Sequence, residues 1–125
     1  MLKITVNYTN FNDEEVTKEV YLNINKNEAI KLETQYENVG GTEKYLKKIT
    51  KAKDINAMWD YNVNLIKTAY GIKSEDGERL IKNEEVTEAF MQSAAFDALI
   101  EIMYNENATE AQVKNMMSKI MNVKL

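Results

Sequence analysis

The chain has no histidine, no cysteine and no proline, and Arg79 is its one arginine among 125 residues. Without imidazole or thiolate, the commonest general bases, nucleophiles and transition-metal ligands are missing. Triad-type hydrolysis, zinc chemistry and disulfide scaffolds are therefore excluded. Ser74, Ser93 and Ser118 have no histidine to activate them, and no Ser–Lys motif is recognisable. Glycine is scarce at four residues, and the pair Gly40-Gly41 lacks the downstream Gly, Lys or Ser/Thr of a phosphate-binding loop. Long apolar runs are also missing: none approaches the about 18 residues of a membrane span. The start, Met1-Leu2-Lys3-Ile4-Thr5-Val6, alternates and does not build an apolar run, so no signal peptide is expected.

What is present fits one ordinary domain over 1–125, with 44% hydrophobic and 29% charged residues. The net charge of −4 disfavours nonspecific binding to phosphate backbones. In the first 25 residues, Leu2, Ile4, Val6 and Tyr8 alternate with polar residues. The pattern resumes with Val16, Val20, Leu22 and Ile24 after the Asn/Asp-rich link 10–14. Two such runs predict a β-hairpin over 1–25. Its apolar face needs a cover, because an isolated hairpin is marginal in water.

Residues 26–125 read as helical. Asn25 and Glu28 form a capping box ahead of Ala29, Leu32, Tyr36 and Val39, with Ile30 beside them and Gly40-Gly41 as the stop. Thr42 is placed to cap a segment carrying Tyr45, Leu46, Ile49 and Ala52. Asp54 is placed to cap another, with the stripe Ile55, Met58, Trp59, Ile66, Ala69 and Tyr70, and Gly71 at its C-cap. Spacing leaves open whether 42–70 is two helices or one bent helix. Asp76-Gly77 marks a turn in a polar segment. Helical spacing returns with Val86, Ala89 and Phe90 after Asn83, then with Phe96, Leu99, Ile100 and Met103 after Ser93. Thr109 and Gln112 form a second capping box, ahead of Val113, Met116, Met117, Ile120 and Met121. The expected fold is mostly α within the α+β class: an N-terminal β-hairpin packed on a bundle of four to six helices.

The acidic clusters Asp13-Glu14-Glu15 and Glu84-Glu85 lie in polar turn or helix-start sequence, where carboxylates meet water or the helix dipole. Residues 73–82 hold Ser74, Glu75, Asp76 and Glu78 but lack the ligand spacing of a calcium loop, so a charged turn or short hairpin is expected there. No cofactor or metal is implied. Lys44, Lys47, Lys48 and Lys51 share one helical face, with Lys53 following. The run holds no arginine and no interleaved aromatic beyond Tyr45 on the apolar face, which favours a solvated face over a nucleic-acid site. Methionine is the one suggestive bias, since Met103, Met116, Met117 and Met121 crowd the end of the chain. A flexible thioether stripe packs into a core or lines a surface that accepts varied helices.

The layout resembles small tail assembly chaperones of long-tailed bacteriophages. The resemblance is carried by Tyr8-Thr9-Asn10-Phe11-Asn12, Val20-Tyr21-Leu22-Asn23-Ile24-Asn25 and Gly40-Gly41. It continues through Leu65-Ile66-Lys67-Thr68-Ala69-Tyr70-Gly71, Ser74-Glu75-Asp76-Gly77 up to Lys82, and the helices from Phe90 to Met103. The Met- and Lys-rich stretch after Thr109 departs from the family pattern. The resemblance implies a non-enzymatic protein of the host cytoplasm that binds the phage tape measure protein, or another tail protein, and keeps that long apolar ruler soluble until tube subunits replace it. It also implies a longer frameshifted product in some members. Neither nucleic acid nor membrane is an expected partner, and a homo-oligomer is compatible with the sequence. The partner-binding residues expected are Leu99, Met103, Val113, Met116, Met117, Ile120 and Met121. The alternative function is a phage-encoded inhibitor of a host defence enzyme acting by protein–protein binding, with carboxylates occupying a basic channel.

Overall fold

The computed structural model describes residues 1–103. The expected capping box at Thr109 and the residues Val113, Met116, Met117, Ile120 and Met121 lie outside the described residues. The fold is α+β, with the N-terminal hairpin in a four-stranded antiparallel sheet of order β1-β2-β3-β4 and five α-helices among the described residues. Two compact units result. One contains Met1–Asn23 and the described residues from Ala69 onward, and the other is Ile24–Thr68.

In the first unit, β1 (Leu2–Thr9) and β2 (Glu15–Leu22) pair in unbroken register from Leu2↔Leu22 to Thr9↔Glu15. The period-two pattern dictates this, because any one-residue slip would turn Val6, Val20 and Leu22 to solvent, and all three are fully buried. Asn10 shapes the link: its Oδ1 accepts from the backbone N–H groups of Asn12 (2.9 Å) and Glu14 (3.0 Å), while Asp13 takes φ 61°. Lys18 falls opposite Val6 on the apolar face. It is tolerated there because its Nζ reaches over the rings of Tyr70 (6.0 Å) and Phe90 (5.8 Å), keeping the charge in a favourable field while the stem packs.

β3 (Tyr70–Lys73) begins where the end of a helix was expected, and β4 (Leu80–Ile81) falls in the segment where a charged turn or short hairpin was expected. β3 pairs with β2 through Tyr21↔Gly71 and Leu22↔Tyr70. β4 returns beside β3 through Ile72↔Ile81 and Lys73↔Leu80. Tyr70 is thus not on a helical stripe and Gly71 is not a helix C-cap. Gly71 serves close approach, since a Cβ there would lie 2.6 Å from Leu80 Cγ. The turn between β3 and β4 is the expected short hairpin. Ser74 Oγ donates to Asp76 Oδ1 (2.6 Å), Asp76 Oδ1 accepts from Glu78 N–H (3.0 Å), and Gly77 supplies φ 75°. The Ser74 hydroxyl and the Glu78 amide together hold the Asp76 carboxyl below the usual range.

α4 (Glu84–Met91) is capped by Asn83, whose side chain accepts from Val86 N–H (2.8 Å). α5 (Ala94–Met103) packs on β1 and buries Ala95, Phe96, Leu99 and Met103. Tyr70 stacks on Phe90 with centroids 3.9 Å apart, and Phe96 meets Phe90 edge-on at 5.8 Å. Such ring pairs contribute about 1 kcal/mol each beyond burial.

In the second unit, α1 (Lys26–Gln35) carries the expected capping box: Asn25 Oδ1 accepts from Glu28 N–H (2.8 Å) and Glu28 Oε1 from Asn25 N–H (3.1 Å). The helix ends at Gln35, earlier than the glycine pair, and a 3-10 turn (Glu37–Val39) leads into Gly40 at φ 91°. α2 (Thr42–Lys51) and α3 (Ile55–Ala69) are separate helices, broken at Lys53 with φ 54°. Asp54 caps α3 as expected, accepting from Ala57 N–H (3.1 Å). Thr42, by contrast, is the first residue of α2 and not its cap; the N-cap is Gly41, which has no side chain to offer. The capping acceptor comes from α1, where Glu33 Oε1 accepts from Thr42 N–H (3.0 Å) and Glu33 Oε2 from the Thr42 hydroxyl (2.6 Å). A Cβ on Gly41 would collide with Glu33 Oε1, so glycine keeps that carboxylate in reach.

Candidate partner-binding surface

Three tyrosines fix the three helices of the second unit. Tyr36 stacks on Tyr45 at 4.7 Å, and Tyr61 lies 5.4 Å from Tyr36 and 6.2 Å from Tyr45. Asn64 Nδ2 donates to Gln35 Oε1 (2.8 Å) and Tyr36 OH (3.1 Å), tying α3 to the end of α1. Burial, with Tyr36 and Glu33 adding to it, pushes the Tyr61 hydroxyl up to about 12. Tyr61 was missed in the sequence because it falls off the assumed α3 stripe. The buried positions of α3 are Tyr61, Leu65, Ile66 and Ala69. Ile55 and Trp59, expected inside, are 77% and 44% exposed.

The exposed α3 pair follows the basic stretch of α2 in the chain. Lys44, Lys47, Lys48, Lys51 and Lys53 are all exposed, and no carboxylate lies between positions 44 and 53. The two flanking acids are both engaged. Glu43 pairs with Lys47 (3.3 Å), and Asp54 is the α3 cap. Elsewhere in the unit, Ile30, Glu33, Thr34, Glu37, Gly40 and Gly41 line an open cleft of about 380 Å³. Ile30 there is 66% exposed.

Of the residues expected to bind a partner, Leu99 and Met103 are 0% and 6% exposed, part of the face α5 lays on β1. The acidic clusters stand in water: Asp13, Glu14 and Glu15 are exposed at the hairpin link, and Glu84 and Glu85 occupy the first turn of α4. Among the described residues, no three acidic groups gather to hold a metal ion. No helix among them is long and apolar enough to cross a membrane.

The described residues thus form capped helices and a small sheet, with Ile55, Trp59 and the lysines of 44–53 exposed. A family model described as phage tail assembly chaperone matches residues 1–123, and the chain belongs to that family. The family is non-enzymatic and implies binding to tail proteins. No curated protein and no solved structure matches the chain.

Proposed function

We propose that the chain binds the tape measure protein in the host cytoplasm and keeps it soluble during tail assembly. The observation that carries this reading is the family match over residues 1–123, nearly the whole chain. The physics agrees with it. A long helical ruler rich in apolar faces aggregates when unpartnered, and holding it requires an adaptable apolar groove and enough charge to stay dissolved. Val113, Met116, Met117, Ile120 and Met121 supply that groove, because thioether side chains repack against varied helices. Leu99 and Met103 belong to the same proposed groove, although α5 holds both buried in the free chain.

Co-expression with the tape measure protein tests the proposal. The wild-type chain should keep the ruler in the soluble fraction and co-purify with it. Met117→Asp/Met121→Asp should lose both effects while the chain's far-ultraviolet circular dichroism is unchanged. If the double variant unfolds, those residues are core and the groove assignment is wrong.

A further inference from the structure

β1 lies at one end of the sheet, and among the described residues no strand pairs with its outer edge. The hairpin decides which backbone groups that edge offers. Asn10 N–H donates to the Glu14 carbonyl (2.9 Å), so the even-numbered residues of β1 bond to β2. Lys3, Thr5, Asn7 and Thr9 therefore turn their N–H and C=O groups outward. Open edges are ordinarily blunted by proline, a bulge, short length or charge. β1 is eight residues long, pairs with β2 without a bulge, and carries one charge, Lys3. Its apolar face is also incompletely covered. Leu2 and Ile4 are half-buried, whereas Leu22 and Val20, directly opposite them on β2, are fully buried.

We propose that the outer edge of β1 pairs antiparallel with β1 of a second copy of the chain, closing a twofold dimer through one continuous sheet. Self-complementarity selects this occupant. Residues opposite one another in an antiparallel pair share a face, so Leu2 meets Tyr8 of the second copy and Ile4 meets its Val6. Thr5 then lies opposite Thr5 on the axis, as a hydrogen-bonded rung, because its backbone groups face outward. Lys3 falls opposite Asn7, so the strand's one charge never meets itself. A slip by one pleat would set Leu2 against Asn10, and the apolar match would be lost. The opposite end of the sheet, β4, is two residues long and too short to carry the pairing on, so the assembly closes at two copies and does not grow into a filament. The dimer does not rest on the tape measure reading and is tested on the chain alone.

Sedimentation velocity of the full chain should show a concentration-dependent species of twice the chain mass. The chain has no cysteine, so single thiols report position without background. Thr5→Cys places two thiols on the axis, where the Cα atoms of a hydrogen-bonded pair stand about 5.5 Å apart, within disulfide reach. Oxidation with diamide should link Thr5→Cys into a covalent dimer and leave Thr17→Cys, on β2, unlinked. Thr5→Pro removes an outward donor that bonds nothing within the chain, so far-ultraviolet circular dichroism should hold. Its dimer dissociation constant should rise roughly thirtyfold, two hydrogen bonds on the axis being lost. A wild type that stays monomeric, as it would if this edge served a strand of a different protein, overturns the proposal. So does a dimer in which Thr5→Cys fails to link or links no better than Thr17→Cys. These outcomes decide the matter even if Thr5→Pro unfolds.

Discussion

Glu33 belongs to α1, yet the N-terminus of α2 depends on it. Gly41 cannot cap, and the Glu33 carboxylate accepts from both the amide (3.0 Å) and the hydroxyl (2.6 Å) of Thr42. Loss of a side-chain cap costs about 1 kcal/mol, within a range of roughly 0.5–2. The ionised acceptor raises that figure, since charge-assisted bonds are the stronger ones. The exposure of Glu33 lowers it again, because water replaces part of what is lost. Glu33→Ala should therefore destabilise the chain by about 1 kcal/mol, a fall in Tm of roughly 4 °C at this size. Urea unfolding followed by far-ultraviolet circular dichroism measures it, and a cycle with Thr42→Ala isolates the contact. The two substitutions should be sub-additive by about 0.5–1 kcal/mol, because both remove the hydroxyl–carboxylate bond. Full additivity, or a Glu33→Ala effect inside the error of the urea midpoint, would show that α2 is capped by water and that the carboxylate is a bystander.

Tyr61 and Leu99 give two further expectations. The Tyr61 hydroxyl has its folded pKa raised above the ordinary 10.0 to about 12, so the folded state holds the proton more tightly. The associated stability is fully present below pH 10 and is lost as pH rises towards 12, about 1 kcal/mol being gone by roughly pH 11. Tyr61→Phe should remove that component from urea midpoints compared at about pH 9 and pH 11; an unchanged loss in the variant would place the titration elsewhere. Leu99 is 0% exposed, so Leu99→Ala should cost about 3 kcal/mol in urea with no partner present. A loss under about 1 kcal/mol would mean that α5 is only loosely seated on β1.

The hairpin and the caps at Asn25 and Asp54 were legible because local chemistry decides them, whereas Thr42 and Gly71 were not the caps expected. Alternation fixes which face of β1 and β2 is buried, and Asn25, Asp54 and Asn83 each bond to a backbone amide three positions on. β3 was hidden because Tyr70-Gly71-Ile72-Lys73 follows directly on a helical run, and its strand state depends on pairing with β2. Glu33 as a cap was hidden for the same reason: its partner is nine residues away and across a turn. The surface shows a deeper limit. Ile55 and Trp59 on α3, and Leu99 and Met103 on α5, are apolar pairs with the same four-residue spacing, and nothing local separates them. The fold buries the second pair, while Ile55 stays 77% and Trp59 44% exposed. Periodicity reports that a helix has an apolar face; what covers that face is decided by the rest of the chain, or by the partner that the rest of the chain leaves room for.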